Sequence, residues 1–337
     1  MGVKAAAQAP TLEMVAARAG VSRATVSRVV NGSPKVKPDL IAAVNRAIAE
    51  LNYVPNRAAR SLASRRTESI ALVIPESTSR VFTDPFFALI IQGVAMHLAT
   101  TDYTLGIVVA SEANPDKTRR FLTGGNVDGA LVVSHHSGDH SYARLGHTVP
   151  IVFGGRPLHD DHDSYYVDVD NIAGSLTATQ HLIERGRTHI ATIAGPADMP
   201  AGFDRELGWR RAMTEAGLDT SLVEWGDFSP ASGAMAMRRL LARKLPIDAV
   251  FAANDQMALG AYAVIAEHGL SIPNDIAVVG YDDDALGSAA APALTTMHQS
   301  MTELGATMAE KLVTMVEGGP VDHATILETR LIVRGSS

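Results

Sequence analysis

Residues Thr11 to Gly32 read TLEMVAARAGVSRATVSRVVNG. Leu12, Val15, Ala16 and Ala19 recur at helical spacing, and Thr11 is of a type that caps a helix N-terminus. Gly20 accepts the left-handed conformation that ends such a helix. Ser22 then caps a second helix through Asn31, whose inner face is Val26, Val29 and Val30. Its outer face carries Arg23, Ala24, Ser27, Arg28 and Asn31. Pro38 and Asp39 open a third helix with a stripe of Leu40, Ile41, Val44, Ala47, Ile48 and Leu51. Two helices joined by a short Gly-containing turn predict a helix-turn-helix. An arginine-rich second helix suits the major groove, where arginine donates two hydrogen bonds to guanine and hydroxyls reach phosphates. The plainer reading of the same pattern is a three-helix bundle with a charged surface.

Charge adds to the outer face and the turn, although a basic surface alone also reads as a solvated face. The chain of 337 residues has a net charge of −7, which taken whole points away from nucleic acid. Residues 1–66 hold eleven Lys/Arg and three acids, a net of +8, while the other 271 hold 18 basic and 33 acidic residues, a net of −15. Such asymmetry marks a basic nucleic-acid module joined to an acidic body. Beyond the third helix comes Leu51-Asn52-Tyr53-Val54-Pro55-Asn56-Arg57-Ala58-Ala59-Arg60-Ser61-Leu62-Ala63. Pro55 stops the helix, and Asn56 can cap a short one running to Ser64. About nine residues is below the length for isolated stability, so this segment is expected to fold only when held. Leu62, apolar among arginines, reads either as packed linker or as a minor-groove wedge.

These two strings, in this order and spacing, resemble the DNA-binding head and hinge of the lactose-repressor (LacI/GalR) family. The resemblance implies base reading by Arg23, Ala24 and Arg28. Ala24 departs from the long polar residue of the lactose repressor and could offer only a thymine methyl contact. It also implies phosphate contacts from Thr11, Ser22, Thr25, Ser27, Asn31 and Asn56, and a wedge role for Leu62.

After Thr67 short apolar runs alternate with amphipathic stretches. Ile70–Ile74, Thr104–Val109, Gly129–Ser134, Ile151–Phe153, Tyr166–Asp168, His189–Ala194, Ala249–Ala252 and Ile276–Gly280 read as strands. Phe87–Ala99, Ile172–Arg185, Arg205–Ala216, Ala231–Ala242 and Gln256–His268 read as helices. The alternation predicts an α/β body of doubly wound parallel sheets, with ligand sites beyond the strand C-termini. The same family resemblance implies a two-lobed, periplasmic-binding-protein-like core. The expected division is a head over 1–55, a hinge over 56–66, one lobe over 67–169 plus 299–327, and a second over 170–298 plus 328–337.

Several strings match the family's ligand motifs. They put forward Asp84 and Phe86 in FTDPFF, Arg156 in GGRPL, Arg205 in AGFDRELGW, Phe228 in WGDFSPASG, Asn254 in FAANDQ, Asp282 in VVGYDDD, and Gln299. A guanidinium fork suits vicinal hydroxyls, and a carboxylate accepts two of them. Asn254 and Asp255 read either as ligand residues or as a cap for the helix from Gln256. Asp283 and Trp209 are expected to be structural. GGRPL, IAGPADM and GDFSPASG are similar to the cellobiose-responsive branch, so a neutral sugar such as cellobiose or a related β-glucoside is the expected effector. A purine-type corepressor in the same cleft is the alternative, and a sugar-binding transport protein is the alternative from another class.

Composition narrows the remaining classes. The absence of cysteine excludes disulfides, thiolate metal sites and thiol nucleophiles. No apolar run reaches the ~18 residues of a membrane span, and Met1 to Pro10 lacks a signal-peptide core. A cytoplasmic protein without membrane association is the expectation. No phosphate-binding loop, nucleophile elbow or activated nucleophile stands out, so neither enzyme activity nor a cofactor is expected. His135, His136, His140 and His147, and the run His159 to Asp163, could in principle bind metal. Their spacing fits solvated loops better, and no metal is expected. A homodimer on a near-palindromic operator follows from the resemblance. A dimer is expected over a tetramer because the chain carries no leucine-heptad tail.

Overall fold

The computed structural model describes residues 10–30, 33–54, 66–110, 115–136, 142, 145–146, 148–157 and 164–337. They fall into two compact units, Met1–Glu68 and Ser69–Ser337.

In the first unit, helices α1 (Leu12–Ala19), α2 (Arg23–Val30) and α3 (Pro38–Leu51) enclose Val15, Ala16, Val26, Val44, Ala47 and Tyr53. The local rules operate as the sequence predicts. Thr11 Oγ1 accepts from the Met14 amide at 3.3 Å, and Gly20 turns left-handed at φ 67°. Ser22 Oγ accepts from the Thr25 amide at 3.1 Å, starting α2. Asn31, Asn56 and Leu62 lie outside the described residues.

Among the described residues of the second unit, strands form two six-stranded sheets. One is built from β1 (Ser69–Ile74), β2 (Thr104–Val109), β3 (Gly129–Val133), β4 (Ile151–Gly154), β5 (Tyr165–Val169) and β11 (Ala324–Leu327), in the order β11-β5-β4-β3-β1-β2. All its pairings are parallel. The other contains β6 (Ile190–Ala194), β7 (Val223–Trp225), β8 (Ala249–Ala252), β9 (Ala277–Asp282), β10 (Thr295–Gln299) and β12 (Thr329–Ile332), ordered β12-β10-β9-β8-β6-β7. Here only β12 runs antiparallel. The chain therefore crosses between sheets three times, after β5, after β10 and after β11.

Helices cover both sheets, as parallel strands require. Those of the first lobe are α4 (Thr78–Thr83), α5 (Pro85–Leu98), α6 (Pro115–Thr123) and the returning α12 (Met301–Val316). Those of the second are α7 (Asn171–Glu184), α8 (Pro200–Glu215), α9 (Pro230–Ala242), α10 (Asp255–Glu267) and α11 (Ala285–Ala289). The α5–α12 seam is closed by two glycines. A Cβ on Gly93 would lie 1.9 Å from the Thr302 carbonyl oxygen, and one on Gly305 2.3 Å from that of Ile90. Only a hydrogen at each position lets the two backbones approach this closely.

Candidate functional site

Between the two sheets lies a cleft with about 760 Å³ of unfilled space, counting its open mouth. It sits beyond the C-terminal ends of the strands, where such sheets leave polar groups unpaired. All eight residues put forward from the sequence line it: Asp84, Phe86, Arg156, Arg205, Phe228, Asn254, Asp282 and Gln299.

The second lobe holds its polar groups in one network. Arg205, on α8, is only 4% exposed. Its Nε donates to Asn171 Oδ1 at 2.8 Å and its Nη1 to the Ala253 carbonyl at 2.6 Å. The guanidinium lies 3.7 Å from the centre of the Tyr281 ring, and Nη1 is 3.5 Å from Asp282 Oδ1. Asp282 also accepts from Gln299 Nε2 at 2.5 Å. Burial pushes the Asp282 carboxyl up to about 7, against the opposing pull of Arg205. Such a group can accept or donate a hydrogen bond near neutral pH, which suits a hydroxylated ligand.

Asn254 lines the cleft and is also a helix cap. It caps α10, accepting from the Met257 amide at 2.9 Å, and its Nδ2 donates to the Phe228 carbonyl at 3.0 Å. That second bond steadies Phe228, which stands at φ 67° in the left-handed region. The Phe228 ring sits 6.0 Å from the Arg205 guanidinium and 5.9 Å from that of Arg80. Asp255 belongs to the fold rather than the cleft. It is fully buried, accepting from Thr296 Oγ1 at 2.6 Å and the Asp284 amide at 2.8 Å. Asp283 is tied to His298 and Arg334, and Trp209 is fully buried, both as expected for structural residues.

The first lobe contributes Asp84, whose Oδ1 accepts from the Phe86 amide at 3.0 Å. Burial raises its pKa. Phe86 meets Phe87 edge to face at 5.2 Å. Arg156 reaches across to Asp204 on α8, with Nη2 at 3.0 and 2.8 Å from the two carboxylate oxygens. Its backbone amide donates to Asp168 at 2.7 Å.

The sequence did not single out Arg80, Ser134, Asp168 or Asn171, which also line the cleft. Ser134 and Asp168 lie at the ends of β3 and β5, so strand-end position was the available signal. The histidines require a correction. His135 is not a solvated loop residue: it is 8% exposed, lines the cleft, and burial pushes its pKa down to about 4. His136 is partly buried and pairs with Asp198 at 2.9 Å. His140, His147 and residues 159–163 lie outside the described residues.

On the head, Arg23, Ala24 and Arg28 are exposed on one face of α2. Arg23 Nε lies 3.1 Å from Glu13 of α1, with both side chains mostly in solvent. Ser22 Oγ and Thr25 Oγ1 are 2.9 Å apart. Thr11 is partly exposed at the start of α1, and Ser27 is partly buried. Among the described residues no helix is long and apolar enough to cross a membrane.

Residues 11–56 match the family described as bacterial regulatory proteins, lacI family, and residues 179–337 match a periplasmic binding protein-like domain. The HTH-type transcriptional regulator CelR of Thermobifida fusca is 46% identical over 333 residues, spanning 97% of this chain and 98% of that protein. The chain belongs to the lacI family of bacterial regulatory proteins. That family consists of transcriptional regulators rather than enzymes. Two solved structures place the lacI-family fold over nearly the whole chain. A transcriptional regulator CelR–cellobiose complex matches with 44% identity and a TM-score of 0.77, covering 97% of this chain and 100% of that one. The lac repressor dimer bound to operator and the anti-inducer ONPF matches with 29% identity and a TM-score of 0.87, covering 98% and 99%.

Proposed function

We propose that this chain is a transcriptional repressor that binds a near-palindromic operator as a homodimer and is released by a neutral sugar, cellobiose or a related β-glucoside. The observation that carries the effector is the buried Arg205–Asp282–Gln299 network, with the Phe228 ring beside it, in a chain 46% identical to CelR. Arg205 and Asp282 address hydroxyls, Phe228 offers an apolar face to a sugar ring, and Asp84, Phe86, Arg156 and Asn254 close the site. On the head, Arg23 and Arg28 read base edges and Ala24 meets a thymine methyl. Thr11, Ser22, Thr25, Ser27, Asn31 and Asn56 hold phosphates. Leu62 enters the minor groove at the operator centre, opposite its copy in the second subunit.

The working parts under this reading are a head of residues 1–55, a hinge of 56–66, and the two lobes 67–169 with 299–327 and 170–298 with 328–337. Sugar binding shifts the contacts between lobes and unpairs the hinges. The sugar must therefore favour one state over the other, and a coupling of about 1–3 kcal/mol, roughly 5–150-fold, is typical.

Thermal denaturation with cellobiose, other sugars, hypoxanthine and guanine tests the effector. A true ligand at a hundred times its Kd stabilises by about 2.7 kcal/mol. Stabilisation by a purine and by no sugar would overturn the sugar reading. A salt-dependent gel shift on palindromic DNA tests the repressor reading, and its absence would leave a sugar-binding module without a DNA role.

A further inference from the structure

We propose that two charge pairs, His136–Asp198 and Arg156–Asp204, form a latch across the rim of the cleft that holds the lobes together before any ligand arrives, and that His136 makes the latch depend on pH. The proposal deepens the effector-site reading above and rests on it for its ligand arm only.

Each pair has one member in each lobe. His136 follows β3 and Arg156 follows β4, both of the first sheet. Asp198 precedes α8 and Asp204 lies on it, in the second lobe. His136 Nδ1 lies 2.9 Å from Asp198 Oδ2, and Arg156 Nη2 2.8 Å from Asp204 Oδ2. The side chains are 22% and 52% exposed in the first pair, 35% and 10% in the second. Partial burial strengthens such pairs, and access to water lets them break. The sugar-facing Arg205 is the immediate neighbour of Asp204, so the latch and the ligand network share one helix.

Two carboxylates, one from each lobe, hold His136. Its Nε2 lies 3.4 Å from Glu76 Oε1, in the segment after β1. Glu76 in turn accepts from Ser134 Oγ at 2.6 Å and pairs with Arg80 at 2.9 Å. The adjoining His135 feels the charge on His136, which helps burial to lower its pKa to about 4, while Asp84 lies one step further away, near Glu76. Glu76 first, then Asp198, raise the His136 pKa to about 9 against the opposing effect of burial. Opening the cleft removes Asp198 and leaves Glu76, so the ring's pKa falls from about 9 to an open-state value that stays above the ordinary 6.5. Between these values closing takes up a proton. Closure is therefore favoured as pH falls from about 9 through the open-state value, and gains nothing more below that value.

Three measurements on the full-length protein test the latch. In ligand-free protein with labelled histidines, NMR should show His136 titrating well above the ordinary range, and Asp198→Asn should lower its midpoint by about one pH unit. An ordinary midpoint in the parent, or no change in the variant, would overturn the latch. Solution scattering of ligand-free Asp198→Asn/Asp204→Asn should show a larger radius of gyration than the parent at pH 7, and identical curves would sink the idea. With cellobiose as the probe, the parent's Kd should rise between pH 7 and 9 by up to about tenfold in all. Asp198→Asn should flatten that slope. A parent slope of zero, or one that survives in the variant, counts against His136. If cellobiose binds at no pH, the sugar reading fails, and the titration and scattering still judge the latch.

Discussion

The head and the cleft present their working side chains in opposite ways. On α2 the groups assigned to base reading stand in solvent: Arg23 is 74% exposed on its side chain and pairs, among the described residues, with Glu13, itself exposed. In the cleft Arg205 is 5% exposed on its side chain and is held by an amide, a carbonyl, a carboxylate and an aromatic ring. The difference follows from the partner. A polyanion supplies its own strong field and can order arginines on arrival. A neutral sugar cannot, so its site must be organised beforehand. Substitutions of the exposed base-reading residues should therefore change binding and leave folding alone, whereas substitutions in the cleft should change both.

The severest test is Arg205→Ala. It leaves Asp282 buried beside an empty position, and removing one partner of a buried pair costs about 3–5 kcal/mol. Denaturant unfolding should register most of that loss, and calorimetry should find cellobiose affinity down by a hundredfold or more. Arg205→Lys should restore little, since the ammonium lacks the planar fork. An alanine variant with parental stability and sugar affinity would erase the contrast between the regions.

Next in size is the pH dependence set by Asp282. Its folded-state pKa is raised to about 7 from 3.8. The folded protein thus holds an extra proton between those values, and the associated stability, present below pH 3.8, is lost as pH rises through 7. Asp282→Asn should flatten this part of the stability profile, by no more than roughly 4 kcal/mol. Unfolding midpoints from pH 4 to 8 that run parallel in parent and variant would show that the carboxyl ionises freely.

Arg28→Ala should cost about 1–3 kcal/mol in operator affinity and relax one base position, with unfolding unchanged within about 0.5 kcal/mol. Operator selection that returns the parental consensus would remove Arg28 from base reading. The smallest effect is expected for Ser22→Ala. Loss of the α2 cap should destabilise the head by about 1 kcal/mol. The phosphate role assigned to Ser22 predicts a similar weakening on all DNA sequences. A loss confined to one sequence would contradict that role.

Much of this architecture is legible in the chain because local rules act without interference. Thr11, Gly20 and Ser22 do at the head what their chemistry allows anywhere. Buried parallel strands such as β1 and β8 are uninterrupted apolar runs, so periodicity marks them well. The second-lobe strands β7 and β10 and the helix α12 do not stand out in the sequence. β7 has three residues, and β10 reads TTMHQ, whose polar groups become acceptable only through neighbours such as Asp255. β11 alternates between exposed and partly buried positions at a sheet edge. In the cleft, residues at strand ends could be picked out by type and place. Arg80 could not, because it sits on a six-residue helix and owes its position to Glu76. His135 resembled its loop neighbours until tertiary packing buried it against Phe153. Sequence separation of 62 residues hides the His136–Asp198 contact in the same way.

The glycine seam between α5 and α12 bears on how the molecule is made. Residues 301–316 finish the layer that covers β3 and β4 of the first lobe, so part of that lobe's apolar face lacks its cover while the entire second-lobe segment from β6 to β10 is being synthesised. The part of the core encoded first is thus completed late, and a nascent chain leaves the ribosome with its early sheet still in need of cover. Chaperone demand should track the arrival of α12 rather than the length of chain already released.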